Sequence, residues 1–169
     1  MSNAESIATL AEALVGELVA AGQSVAAAES CTGGWIAKSL TDVAGSSQCF
    51  SYGIVSYSNG AKESLLGVST RTLQEHGAVS EAVVLEMASG VLNLSGADFA
   101  VAVSGIAGPD GGSDEKPVGT VWFGFAVRTG DDPGLLAERH LFQGDRGSIR
   151  SQTVILALQG LREHLRQRG

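Results

Sequence analysis

The segment SVAAAESCTGGWIAKSLTDV, residues 24–43, changes character half-way along. Ser24–Ala28 is short, small and apolar, the pattern of a strand covered on both faces. From Gly34 to about Val43, Trp35, Ile36 and Leu40 recur at helical spacing. Between the two lie Ser30, Cys31 and Thr32, followed by Gly33 and Gly34. A strand that runs through a glycine turn into a helix opens a unit of alternating strands and helices.

Outward from this segment the alternation continues. Ile7, Leu10, Ala11, Leu14, Val15 and Leu18 place an amphipathic helix over 5–21, ended by Gly22. Phe50–Tyr57 reads as a strand, Lys62–Leu66 as a short helix and Thr70–His76 as a helical turn. Ser80 is placed to cap a helix carrying Val83, Val84, Met87, Val91 and Leu94. Phe99–Ser104 has the continuous apolar run of a central strand, and a glycine-rich loop follows to Gly119. Thr120–Arg128 and Leu136–Phe142 then form a hairpin across TGDDPG, and residues 147–167 close the chain as a long helix. The expected fold is α/β: one three-layer α/β/α domain over residues 1–169 with a mixed sheet. Residues 1–4 are set aside as disordered or tag-derived.

Composition narrows the function. The chain of 169 residues is 44% apolar and 17% charged, which is globular and not disordered. A net charge of −7 argues against a nucleic-acid binder, though it leaves room for a local cationic pocket. No signal peptide and no apolar run of membrane-spanning length occurs, so a cytoplasmic protein without membrane attachment is expected. Cys31 and Cys49 have no metal-ligand spacing and are expected as free thiols, and the three histidines are scattered. The apolar stripes of the terminal helices favour a homodimer.

Three stretches carry possible chemistry. Ser30–Gly34 sits where a strand meets a helix, and free amides at a helix start hold phosphates or oxyanions. Spacing alone favours the plainer reading, in which Ser30 and Thr32 only cap that helix. No histidine is placed to activate Ser30. Of the three lysines, Lys38 follows the serine turn on a helix that should point it to solvent, and Lys116 lies in a loop. Lys62 would share an edge with Ser30 if their strands are neighbours, although a solvated lysine is the simpler reading. Ser104–Gly112 presents backbone amides closely, or is an ordinary surface loop, and Arg146 could grip a phosphate or carboxylate. None of the stretches is a P-loop, a G-x-S-x-G elbow or a dinucleotide fingerprint.

The segments AESCTGG (28–34), YSNGAKESLLGV (57–68), HGAVSE (76–81), SGIAGPDGG (104–112) and KPVGTVWFGF (116–125) together resemble the CinA C-terminal family. The likeness runs from about residue 5 to 165. Its stand-alone members are nicotinamide-nucleotide amidohydrolases, so the resemblance implies hydrolysis of the carboxamide of nicotinamide mononucleotide. The products would be nicotinate mononucleotide and ammonia, in pyridine-nucleotide salvage, with no metal and no cofactor. It also implies a serine–lysine pair, placed at Ser30 and Lys62. Thr32, Gly33, Gly34, Tyr57, Gly105, Ile106, Gly108 and Arg146 are then the expected substrate-binding residues. Cys31 and, more weakly, Ser47 are rival nucleophiles. A nucleotide-binding regulatory module without turnover is the alternative function.

Overall fold

All five residues of Val25–Glu29 (β1) are buried, and three of them are alanines. The strand lies between two parallel neighbours, Phe50–Val55 (β2) and Phe99–Gly105 (β3), with Val25 opposite Phe99 and Glu29 opposite Val103. Thr120–Val127 (β4) and Gly134–Leu141 (β5) extend the sheet antiparallel from β3, giving the order β2-β1-β3-β4-β5. The mixed sheet and its hairpin are as the sequence predicts. A computed structural model describes residues 3–168. Met1 and Ser2, half of the set-aside leader, lie outside the described residues, while Asn3 and Ala4 already belong to the first helix.

Successive strand residues face opposite sides of a sheet, and here the two sides differ in size. One presents Val25, Val101, Val103, Phe123 and Phe125 to Asn3–Ala21 (α1), Trp35–Thr41 (α2) and Arg146–Arg168 (α6). The other presents Ala26, Ala28, Ala100, Ala102 and Ala126 to Glu81–Ser95 (α5), with Asn59–Leu66 (α3) and Thr70–His76 (α4) beside it. The alanine side lets α5 lie close: a Cβ on Gly124 would meet the Val84 carbonyl. The result is three layers, helices on both faces of one sheet.

The apolar stripes of α1 and α6 are consumed inside this core, with Leu14, Leu18, Leu158 and Leu161 all buried. Helix α3 starts at Asn59, three residues ahead of the expected start, because the Ser58 hydroxyl accepts the Ala61 amide as a cap. A 3₁₀ turn at Ser46–Gln48 is too short to leave a periodic signature.

Helix α3 is seated by a close backbone approach. A Cβ on Gly90 of α5 would overlap the Leu66 carbonyl at the end of α3. Gly90→Ala is expected to cost about 1–3 kcal/mol, the usual range for overpacking. Gly16 of α1 has nothing near it, so Gly16→Ala should gain up to about 1 kcal/mol from helix propensity. Thermal unfolding of the two variants against the parent chain checks the opposite signs.

Candidate active site

Three loops leave the carboxyl ends of the parallel strands β1, β2 and β3, the edge at which open α/β sheets hold ligands. The first is the Ser30 turn. Glu29, the last residue of β1, is fully buried, and its carboxylate accepts the Thr32 hydroxyl (2.6 Å) and the amides of Ile36 (2.9 Å) and Ala37 (3.0 Å). Capping of α2 is thus done by Glu29, and Gly34 at the N-cap position contributes no side chain. Ser30 is released from that duty. Gly33 and Gly34 both take positive φ, 59° and 101°, which lets the chain turn back between strand and helix.

The second loop brings Lys62. It is 1% exposed, and its Nζ lies 2.9 Å from Ser30 Oγ. The same nitrogen donates to the carbonyl oxygens of Ser56 (2.8 Å) and Tyr57 (3.4 Å). Burial drives the Lys62 amine below its ordinary value, against a smaller opposing pull from the Cys31 side chain. A neutral amine carries two hydrogens and one lone pair. In the neutral form, with both hydrogens on the two carbonyls, the lone pair would face the Ser30 hydroxyl. The other two lysines are spent elsewhere: Lys38 pairs with Asp42 in solvent, and Lys116 donates to the His76 carbonyl.

The third loop, after β3, closes the far wall. Ser30, Cys31, Tyr57 and Lys62 line a pocket of about 300 Å³ together with Ser104, Gly105, Ile106, Gly108 and Arg146. Arg146 spans it, donating to the Gly108 carbonyl (2.8 Å) and to the Tyr57 hydroxyl (3.2 Å). The structure does not bring Thr32, Gly33 and Gly34 here. Thr32 is buried against Glu29, and all three border a separate depression with Trp35, Lys38 and Arg150. The Gly33 amide is already taken by the Ser30 carbonyl at 3.1 Å. Ser47 lies in the 3₁₀ turn, away from the pocket. Asn59 also lines the pocket without having been given a role in the sequence. Among the described residues, no group of three or more His, Cys, Asp and Glu side chains could hold a metal ion.

The profile of the CinA C-terminal domain matches residues 7–165. The chain belongs to this family. It is similar to the nicotinamide-nucleotide amidohydrolase PncC of Enterobacter agglomerans, 60% identical over 88% of this chain and 90% of that protein. It is 55% identical to the same-named protein of Escherichia coli K12, over 90% of each. A crystal structure described as competence/damage inducible protein CihA from Agrobacterium tumefaciens superposes with a TM-score of 0.89 at 45% identity, over 94% of both chains. No helix among the described residues of this CinA-family chain is long and apolar enough to cross a membrane.

In this CinA-family site the rival nucleophile is disarmed. Cys31 is 5% exposed, and burial pushes its thiol up to about 11, helped by Glu29 and only partly offset by its own backbone, Arg150 and Lys62. A thiol that keeps its proton is a poor nucleophile. Iodoacetamide at pH 8 should therefore leave Cys31 unmodified in the native protein, and mass spectrometry of the alkylated chain reads the result.

A lowered Lys62 value also ties stability to pH. Between that folded value and the ordinary 10.5, the unfolded chain binds the extra proton, so stability rises with pH across this window. Lys62→Met removes the linkage. The difference in Tm between parent and Lys62→Met is expected to move in favour of the parent as pH is raised from 7 towards 10.

Proposed function

We propose that this protein hydrolyses the carboxamide of nicotinamide mononucleotide, giving nicotinate mononucleotide and ammonia, by a serine–lysine mechanism. The observation that carries the reading is the buried Lys62 amine 2.9 Å from Ser30 at the wall of the pocket. Relatives at 55–60% identity that are named for this amidohydrolase activity support the substrate class. A pocket that only bound a nucleotide would gain nothing from a desolvated amine beside a hydroxyl. Its burial is costly unless the amine sheds its charge.

Neutral Lys62 takes the proton of the Ser30 hydroxyl as Oγ attacks the amide carbon, forming a tetrahedral oxyanion. The Thr32 amide, which has no acceptor among the described residues, is the donor that the turn offers to that oxygen. The C–N bond then breaks, the proton held on Lys62 passes to the departing nitrogen, and ammonia leaves an acyl-Ser30. Water, deprotonated by the same amine, attacks the ester, releases nicotinate mononucleotide and restores Ser30. Arg146 uses two of its donors on Gly108 and Tyr57, and guanidinium carries five, so donors remain for the substrate phosphate. The acid formed is the form of the pyridine nucleotide that salvage uses.

Ammonia release from nicotinamide mononucleotide, followed with and without a chelator, tests the reading. Ser30→Ala and Lys62→Ala are each expected to lower kcat by at least about 10³-fold, as loss of a nucleophile or its base does. Retention of near-normal turnover by either variant would remove that residue from the mechanism. In the parent, kcat/KM should rise with pH along a limb centred below 10.5, set by the lowered Lys62 value.

A further inference from the structure

Helix α6 carries two arginines one turn apart, and they reach different loops of the site. Arg146 ties to Gly108 in the loop after β3. Arg150 ties to the nucleophile turn: its Nε donates to the Cys31 carbonyl at 3.0 Å and its Nη2 to the Thr32 carbonyl at 2.9 Å. Its guanidinium also lies 5.5 Å from the centre of the Trp35 ring. Arg150 is half-buried and, among the described residues, pairs with no carboxylate. Its fork is devoted to two consecutive peptide oxygens.

We infer that Arg150 is a positioning residue, which sets the orientation of the nucleophile turn without touching substrate. In a trans peptide the carbonyl and the next amide point in opposite directions. Holding the Cys31 carbonyl against Arg150 therefore turns the Thr32 amide away from α6. Holding the Thr32 carbonyl likewise turns the Gly33 amide away, and that amide closes on the Ser30 carbonyl. The same Thr32 oxygen accepts the Trp35 amide, so the clamp also fixes the first residue of α2. Glu29 grips the turn from the sheet side through the Thr32 hydroxyl. Between a carboxylate and a guanidinium, the turn has one arrangement, and Ser30 Oγ is held at Lys62 in it. Lysine could not substitute, since it is a point charge without the fork that spans two acceptors.

This inference rests on the proposed serine–lysine chemistry, so its test has an arm that needs no substrate. In Arg150→Ala, amide hydrogen exchange at Gly33 and Trp35 is expected to accelerate at least about tenfold while amides of β3 stay as protected as in the parent. On nicotinamide mononucleotide, kcat should fall by about 10²-fold, the scale of a small misplacement, with KM unchanged within about threefold. Added guanidinium ion should restore part of the lost kcat in Arg150→Ala and none in Ser30→Ala, and Arg150→Lys should recover little. Unchanged exchange at Gly33 and Trp35, a loss confined to KM, or no response to guanidinium would each overturn the assignment. If the parent chain released no ammonia, the substrate reading would fall, and the exchange rates would still decide whether Arg150 holds the turn.

Discussion

An ammonium group removed from water costs several kcal/mol unless a carboxylate meets it, and Lys62 has none among the described residues. The structure answers that constraint by lowering the affinity of the amine for its proton. Two backbone carbonyls orient the nitrogen but carry no full charge, so they fix its direction without restoring a normal basicity. The arrangement depends on tight packing behind it. Leu66, one turn beyond Lys62, is buried under α5, and the absent side chain at Gly90 lets α5 come close enough to seal that side. A gap there would admit water and return the lysine to its ordinary charged state.

The topology supplies the second partner. Because β2, β1 and β3 are parallel neighbours, the segments leaving their carboxyl ends meet at one edge without any long excursion. Ser30 comes from β1, Lys62 from the helix after β2 and the glycine loop from β3. The reversal to antiparallel at β4 and β5 leaves this edge alone and brings the chain back for α6, whose first turns reach across to both glycine loops. Functional side chains on a helix anchored along the whole α1 face are held more rigidly than loops alone could hold them.

Most of the fold was legible because its elements obey one period each. β1 and β3 read as continuous small or apolar runs since both faces are covered, and α5 and α6 repeat cleanly. The site was legible only in pieces. Lys62 sits in the polar run Tyr-Ser-Asn-Gly-Ala-Lys-Glu-Ser, which hides its burial, yet its spacing of four from Leu66 places both on one helix face. The cap of α2 falls on Glu29 and not on Ser30 or Thr32. A hydroxyl before a helix reads as its cap, whereas here a carboxylate from the preceding strand reaches the helix amides and takes the hydroxyl as well. The contacts to the helix amides span seven and eight residues and leave no local pattern. Arg150 shows the same limit: its partners lie more than a hundred positions away.

The neighbouring hydroxyl and thiol show why placement outranks intrinsic reactivity. Cysteine is the better nucleophile only as thiolate, and Cys31 is held in surroundings that raise the cost of that charge, with the Glu29 carboxylate adding to it. Serine never ionises freely at neutral pH, so it attacks only where a base takes its proton during the reaction. Such a base must be uncharged beforehand, and the burial that raises the Cys31 thiol also lowers the Lys62 amine. One dry environment thus shifts two groups in opposite directions, the thiol upward and the amine downward. Of the hydroxyl and the thiol, it is the Ser30 oxygen that lies 2.9 Å from Lys62 Nζ.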